Sequence, residues 1–483
     1  MLFNSLEYLI FLPAVVVIYF VLPARRRWML LLAASYFFYL SNRIEYGILI
    51  LITTLVDYFV ALKIHQTASV KGKKGYLAIS LIANLGMLAG FKYLDFFSES
   101  VNLLLHSFHI QGGLPVFGIL LPVGISFFIF KSLSYTIDVY RGLRTPEKHL
   151  GFYALYVSFF PQLISGPIDR SSSLLPQLHH PREFNTGWLI SGLKLMLWGF
   201  FKKVVIADRL GLYVDEIYNN PEEYTGLSVI LASVLFAFQL YSDFSGYTDI
   251  ARGSARIMGY DLMINFNRPM IAKSLRDFWN RWHISLTTWF RDYVLYSLPY
   301  IRNKKVSFGR LYFNLIITYL LMGLWHGADW NFVIFGFLNG VFLVIETTTE
   351  KLRERFLDLT GISRARFFKN LNGNIITLSL IIFTLIFFRA DSLDESFLII
   401  SNSFDFSNLS LSIRKILHDN ELIFGILALV VMLVAEHIHE KHDLVRIIAS
   451  RPIVIRWSVY IGFIFFILIF WVQQKQEFIY FQF

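Results

Sequence analysis

The hydrophobic residues of this chain fall in long blocks separated by short polar stretches, unlike the mixed pattern of a soluble core. Twelve blocks stand out, near residues 8–24, 28–40, 46–62, 76–97, 115–140, 187–207, 226–250, 311–325, 330–346, 374–390, 421–438 and 453–472. A hydrocarbon layer of about 30 Å needs roughly 20 apolar residues in a helix, so the blocks predict membrane-spanning helices. Several are short and are expected to tilt or to pair as re-entrant hairpins. One further apolar stretch, 151–166, runs into Ser165-Gly166-Pro167. There a flexible residue precedes one without an N–H, which ends a helix, and the stretch is read as dipping into the membrane and returning. No repeat, low-complexity tract or interdomain linker is visible. The expected architecture is all-α and polytopic, one membrane-embedded unit over 1–483. The segments with candidate chemistry fall within about 110–350, and 1–100 and 374–483 supply flanking helices.

Composition agrees and narrows the choices. Hydrophobic residues make up 55% and charged residues 16%, the latter against roughly 25% in a soluble protein. So few polar side chains cannot cover a soluble domain, and the hydrophobicity excludes a disordered segment. Met1 to Leu12 lacks a basic n-region and a small-residue cleavage site, so the first span is expected to remain in the mature protein. Cysteine is absent, which removes thiol nucleophiles, Cys-ligated zinc and iron–sulfur clusters. The net charge of +10 raises nucleic acid as a partner, but topology accounts for it. With the N-terminus outside and 151–166 returning, 33 of the 44 Lys and Arg residues lie in loops on one face, eleven of them in 251–310. That is the bias of cytoplasmic loops, and no nucleic acid is expected.

Three segments carry chemistry. Tyr241-Ser242-Asp243-Phe244-Ser245-Gly246-Tyr247-Thr248-Asp249 places two carboxylates at the inner end of a span. Intramembrane ionisable groups are costly and mark sites, although helix capping and hydroxyl bonding are the plainer alternative. Next, Trp279, Trp282, Leu286, Phe290 and Tyr293 recur at helical spacing, which predicts one aromatic-faced helix over 274–293 with His283 on that face. Asp277 and Arg281 have the spacing of an ion pair. An interfacial helix with a structural histidine fits the same pattern. Third, Leu321-Met322-Gly323-Leu324-Trp325-His326-Gly327-Ala328-Asp329-Trp330-Asn331 interrupts an apolar run. If Arg310 marks the inner interface, His326 lies roughly 24 Å along the helix. Gly323 and Gly327 then leave space for something to approach the imidazole. Irregular backbone at such depth is tolerated where it is buried in protein or lines a cavity, and a neutral His there can take a proton from an alcohol. A hydrogen-bonded kink is the alternative. His437, His439 and His442 are read as a solvated helix end, and His179-His180 is assigned no role.

Together these segments, with Phe160-Pro161-Gln162-Leu163-Ile164-Ser165-Gly166-Pro167-Ile168 and the ending Glu477 to Phe483, resemble the membrane-bound O-acyltransferase superfamily. The bacterial alginate O-acetyltransferase membrane-subunit type is the nearest pattern. The resemblance implies a ring of about 11–12 transmembrane helices, with re-entrant and interfacial helices, around a His-lined tunnel. His326 matches the superfamily's invariant histidine and His283 its second motif histidine; both are expected to be catalytic. Trp325, Asp243, Asn280, Arg281 and Trp282, in the same motifs, are expected to contact substrate. The implied reaction is acyl transfer from a cytoplasmic thioester to an extracytoplasmic hydroxyl, for O-acetylation of a cell-surface or secreted polysaccharide. Acetyl-CoA or an acyl-carrier-protein thioester would be a substrate, with no bound cofactor and no metal. The expected partners are an extracytoplasmic esterase-like acetyltransferase, a cytoplasmic acyl carrier, membrane lipids and the polysaccharide, and the expected location is the bacterial cytoplasmic (inner) membrane. D-alanyl transfer to teichoic acid is the rival within the class. A transporter or flippase is the rival outside it.

Overall fold

A computed structural model describes the chain except for residues 42, 300–306, 361–365, 443, 473–477 and 482–483. The described residues form helices and loops with no strand. The first six helices are α1 (Leu6–Val21), α2 (Ala24–Leu40), α3 (Gly47–Gln66), α4 (Val70–Leu88), α5 (Leu94–Ser107) and α6 (Ile125–Tyr140). Short elements follow, α7 (Leu150–Ser158), α8 (Phe160–Leu163) and α9 (Ser171–His179), before α10 (Thr186–Phe200), α11 (Asp208–Tyr218) and α12 (Leu227–Ile257). Then come α13 (Leu275–Arg281), α14 (Ile284–Trp289), α15 (Phe308–His326), α16 (Trp330–Thr348) and α17 (Glu350–Leu359). The chain ends with α18 (Arg366–Arg389), α19 (Leu393–Asn402), α20 (Leu409–His418), α21 (Asn420–Lys441), α22 (Leu444–Ala449) and α23 (Ile453–Phe470).

Each of the twelve apolar blocks contains a helix. Eight described helices are long and apolar enough to cross a membrane, and α1 is a shorter apolar helix. Of 151–166, α7 has nine residues and α8 four. At 1.5 Å per residue, α7 reaches about 14 Å, less than half the hydrocarbon core. This agrees with a segment that enters and returns.

The buried axis of the fold is α12, whose 31 residues extend roughly 46 Å. It packs against α10 where glycine faces glycine: a Cβ at Gly199 would meet Gly246 O at 2.6 Å, and one at Gly192 would meet Gly253 O at 2.7 Å. In lipid, where helices gain little from hydrophobic burial, such close backbone contact supplies the packing. The Tyr241–Asp249 segment lies in the middle of α12, not at a span end as its sequence predicts, because the helix continues to Ile257. Its carboxylates are matched by a π-helical segment, Phe201–Ala207. Two consecutive lysines there both reach charge: Lys202 pairs with Asp249 at 2.6 Å, and Lys203 with Asp243 at 2.7 Å and Asp208 at 2.8 Å. Buried charge is tolerated when paired in this way.

Loops segregate to two ends. At one, Arg27 donates to Arg182 O, Arg170 pairs with Asp292, Glu147 with His179, and Leu275 N donates to Glu346. At the other, Arg389 pairs with Asp215, Lys415 with Glu216, and Trp330 Nε1 donates to Ser100. These contacts join loops that the basic-residue bias places on the same face. His437, His439 and His442 are exposed at the end of α21, where His439 Nδ1 accepts Leu444 N at 3.3 Å.

Candidate active site

His326 is the last residue of α15. Gly327 is extended, and Asp329 caps α16 by accepting Asn331 N at 2.7 Å, so the chain reverses directly after the imidazole. The reversal brings the two helices into backbone contact. A Cβ at Gly323 would sit 2.2 Å from Phe332 O, and one at Gly336 2.4 Å from Tyr319 O. This corrects the sequence expectation for the flanking glycines. The space beside Gly323 holds the α16 backbone, and that beside Gly327 holds the Phe332 ring; neither is left for substrate. The end of α15 is held from α4–α5, whose junction is a π-helical turn at Ala89–Tyr93. Lys92 Nζ donates to Trp325 O at 2.7 Å and to His326 O at 2.8 Å, and Tyr93 OH donates to Leu324 O at 2.9 Å. Three orphan carbonyls of a buried helix end are thus satisfied.

His283 does not lie within one helix. The single helix expected over 274–293 breaks between α13 and α14, with His283 in the left-handed region at φ 40°. The cause is Asn265, buried in the loop after α12. Its side-chain oxygen accepts Ser285 N at 3.1 Å and Ser285 Oγ at 2.9 Å, while its backbone oxygen accepts Ile284 N at 2.8 Å. The same side-chain oxygen lies 3.1 Å from His283 Nδ1. Because that oxygen is an acceptor, Nδ1 carries the proton and Nε2 presents a lone pair.

Both imidazoles face a common aromatic centre. The Tyr480 ring is 5.6 Å from that of His326 and 6.4 Å from that of His283, and Trp325 is 5.0 Å and 5.9 Å from the two. His326 lines a cavity of about 270 Å³ with Lys92, Pro122, Phe127, Trp325 and Tyr480. It also borders a tight cleft walled by Trp279, Trp282, Phe388 and Tyr480. A second cavity, of about 380 Å³, lies at the α15–α16 turn and shares Lys92; Asp95, Asp329, Arg389 and Asp391 line it. Four buried polar atoms around this centre have no hydrogen-bond partner among the described residues: His283 Nε2, His326 Nδ1, Trp279 Nε1 and Trp325 Nε1. Buried polar groups are nearly always paired, so a cluster of unpaired ones marks where a polar substrate belongs.

The other expected contacts divide. Trp325 and Trp282 are cavity walls. Asn280 is exposed, and Arg281 donates to Asp277 at 2.7 Å as its spacing predicts; neither lines these cavities. Asp243 pairs with Lys203 and accepts Ile479 N at 2.9 Å, which anchors the chain's final turn. Phe478 then stacks on Tyr247 at 4.4 Å, and Tyr480 reaches the centre. Of the C-terminal motif, Glu477, Gln482 and Phe483 lie outside the described residues. The Phe160–Ile168 motif supports the wall through Gln162, whose Oε1 accepts Lys131 Nζ at 2.8 Å and whose Nε2 donates to Asp169 at 2.5 Å. Lys92, Asn265 and Tyr480 were not identified from sequence. Lys92 had a signal as a lone charge inside an apolar block, and Tyr480 lies in the Glu477–Phe483 ending that carries the resemblance, though without a role assigned to it.

A multi-pass helical protein with two buried histidines against one aromatic centre, one of them lining a cavity edged by unpaired polar atoms, has the makings of an enzyme embedded in the membrane. Residues 147–389 match the membrane-bound O-acyltransferase family, and the chain belongs to that family. It is 38% identical over 348 residues to probable alginate O-acetylase AlgI of Azotobacter vinelandii, covering 72% of this chain and 68% of that protein. To the protein of the same name from Pseudomonas aeruginosa it is 36% identical over 415 residues, 85% and 76% of the two chains. To the peptidoglycan O-acetyltransferase of Helicobacter pylori it is 33% identical over 394 residues, 76% and 72%. The protein is therefore a membrane-embedded O-acyltransferase.

Proposed function

We propose that the protein moves an acetyl group from a cytoplasmic thioester to an extracytoplasmic hydroxyl, for O-acetylation of a cell-surface or secreted polysaccharide. The observation that carries this reading is the set of unpartnered polar atoms around His326 and His283. The names of the relatives, which act on alginate and peptidoglycan, favour acetyl as the group and a polysaccharide as the acceptor.

His326 takes the proton of the acceptor hydroxyl as the oxygen attacks the thioester carbonyl. The C–S bond breaks, an oxygen ester forms, and the imidazolium returns the proton to the departing thiolate. A thioester carries a good leaving group, so positioning and one proton acceptor supply much of the acceleration. His283, held by Asn265, offers its Nε2 to the bound substrate, and the two indole N–H groups can donate to a carbonyl oxygen. Trp325 and Trp282 enclose the acyl group. The donor is acetyl-CoA or an acyl-carrier-protein thioester and enters from the basic face, the cytoplasmic side of a bacterial inner membrane in this reading. An extracytoplasmic esterase-like acetyltransferase receives the group or hands it on.

The test is thiol release from acetyl-CoA by purified protein in nanodiscs supplied with polysaccharide, alongside His326→Ala. The variant is expected to abolish transfer while membrane insertion stays normal. Normal turnover by His326→Ala would remove this histidine from the mechanism.

A further inference from the structure

His326 presents a problem of precision. A general base must stay within hydrogen-bond reach of the proton it takes, yet this one is the terminal residue of a helix, where backbone bonding runs out and ends fray. The helix does not continue past it, since Gly327 is already extended. The restraint comes from Lys92, whose ammonium bonds the carbonyls of both Trp325 and His326.

Three features mark Lys92 as more than a packing residue. First, among the described residues it has no carboxylate partner: its two bonds go to backbone oxygens. A lysine that meets neutral carbonyls gains no ion pair to offset its desolvation, which is an expensive arrangement within a membrane. Second, it lies on a π-helical turn. The wider turn lets Lys92 and its neighbour Tyr93 both face the end of α15, and such bulges are rare and concentrate at functional sites. Third, it lines the cavity beside His326 and also the one at the α15–α16 turn. It therefore stands at the boundary that an acyl group and an acceptor must share. Its positive charge also complements the negative end of the α15 dipole.

We propose that Lys92 is a positioning residue for His326: by clamping the Trp325 and His326 carbonyls it fixes the imidazole in the wall of the cavity of about 270 Å³, one residue from the lining of the other. The proposal rests on His326 being the general base. It predicts a loss that resides in turnover, with donor binding spared, because Lys92 orders the base and not the thioester.

The experiment compares Lys92→Met, Lys92→Arg, Tyr93→Phe and His326→Ala, each full length in nanodiscs with acetyl-CoA as donor and polysaccharide as acceptor. Lys92→Met keeps the length of the side chain but leaves both carbonyls without a donor, and is expected to lower kcat by about 100-fold, the scale of an ångström misplacement. Its KM for acetyl-CoA should stay within about twofold. Lys92→Arg keeps the donors and should recover most of kcat. Tyr93→Phe removes a bond from the same helix end but not from His326, and should change kcat by less than about fivefold. Amide exchange at Gly327 and Ala328 should quicken in Lys92→Met and not in Tyr93→Phe. Folded Lys92→Met with kcat near wild type, or a loss equal in Lys92→Met and Tyr93→Phe, overturns the proposal. If His326→Ala also turns over normally, the reading of His326 falls instead.

Discussion

At the residue scale, the two histidines are held by different means. His326 sits at a helix end and depends on outside donors, whereas His283 is set by a single amide. Asn265 gives one oxygen to His283 Nδ1, Ser285 N and Ser285 Oγ, so it fixes both the ring and its tautomer. Asn265→Ala should therefore leave three buried donors without an acceptor, at about 1–3 kcal/mol each. It should also lower turnover by about tenfold or more through misplacement of His283. Turnover by variant that elutes as a monodisperse species checks this, and wild-type turnover would show that Asn265 is scaffold only. The histidines themselves were legible in the sequence because each interrupts or decorates a strong apolar pattern. Asn265 was not, since it lies in a loop with no periodicity, and its role arises from contacts 18 and 20 residues away. Arg281 and Asn280 show the reverse: expected to contact substrate, they line none of the described cavities. They stand beside the motif histidine in sequence, but within α13 Asn280 is exposed and Arg281 is bonded to Asp277.

At the element scale, the sequence foretold helices well and their interruptions poorly. The twelve apolar blocks mark helices because length and hydrophobicity alone decide a span. The break at His283 follows from tertiary bonds to Asn265, which override a pattern that reads as continuous helix. The final turn, Ile479–Phe481, is a similar case: nothing local announces that it enters the core. Asp243 is what draws it in, because its carboxylate accepts Ile479 N. This gives Asp243 a task distinct from the substrate contact expected of it, and the two can be separated. Ile479→Pro removes that N–H, while proline is well accommodated at the first position of a helical turn. The substitution is expected to reduce acyl transfer by about tenfold, through loss of the Tyr480 wall, with little change in the amount of folded protein. If Asp243 serves substrate alone, Ile479→Pro will transfer at the wild-type rate in the nanodisc assay.

At the scale of the whole molecule, the charge bias and the loop contacts make one argument about orientation. Basic residues gather in 251–310 and 347–373, while Asp215, Glu216 and Asp391 stand at the opposite end. Among the described residues the structure keeps these groups apart, with Arg389 bonded to Asp215 at one end and Leu275 N to Glu346 at the other. The cavity lined by Asp95, Asp329 and Asp391 lies with the acidic group, and under the proposed function it is the side from which an external hydroxyl would approach. The inside-positive rule predicts the basic end in the cytoplasm. Absence of cysteine makes this directly testable, because any thiol introduced is the only one in the chain. Asp391→Cys in intact cells, with the outer membrane opened where there is one, should react with a membrane-impermeant maleimide. Lys351→Cys, on α17 after the α16 span, should react only after the cytoplasmic membrane is permeabilised. Labelling in the opposite order would invert the protein, and with it the direction in which the acyl group travels. Equal labelling of both before permeabilisation would place the two residues on one face, against the crossing of α18 between them.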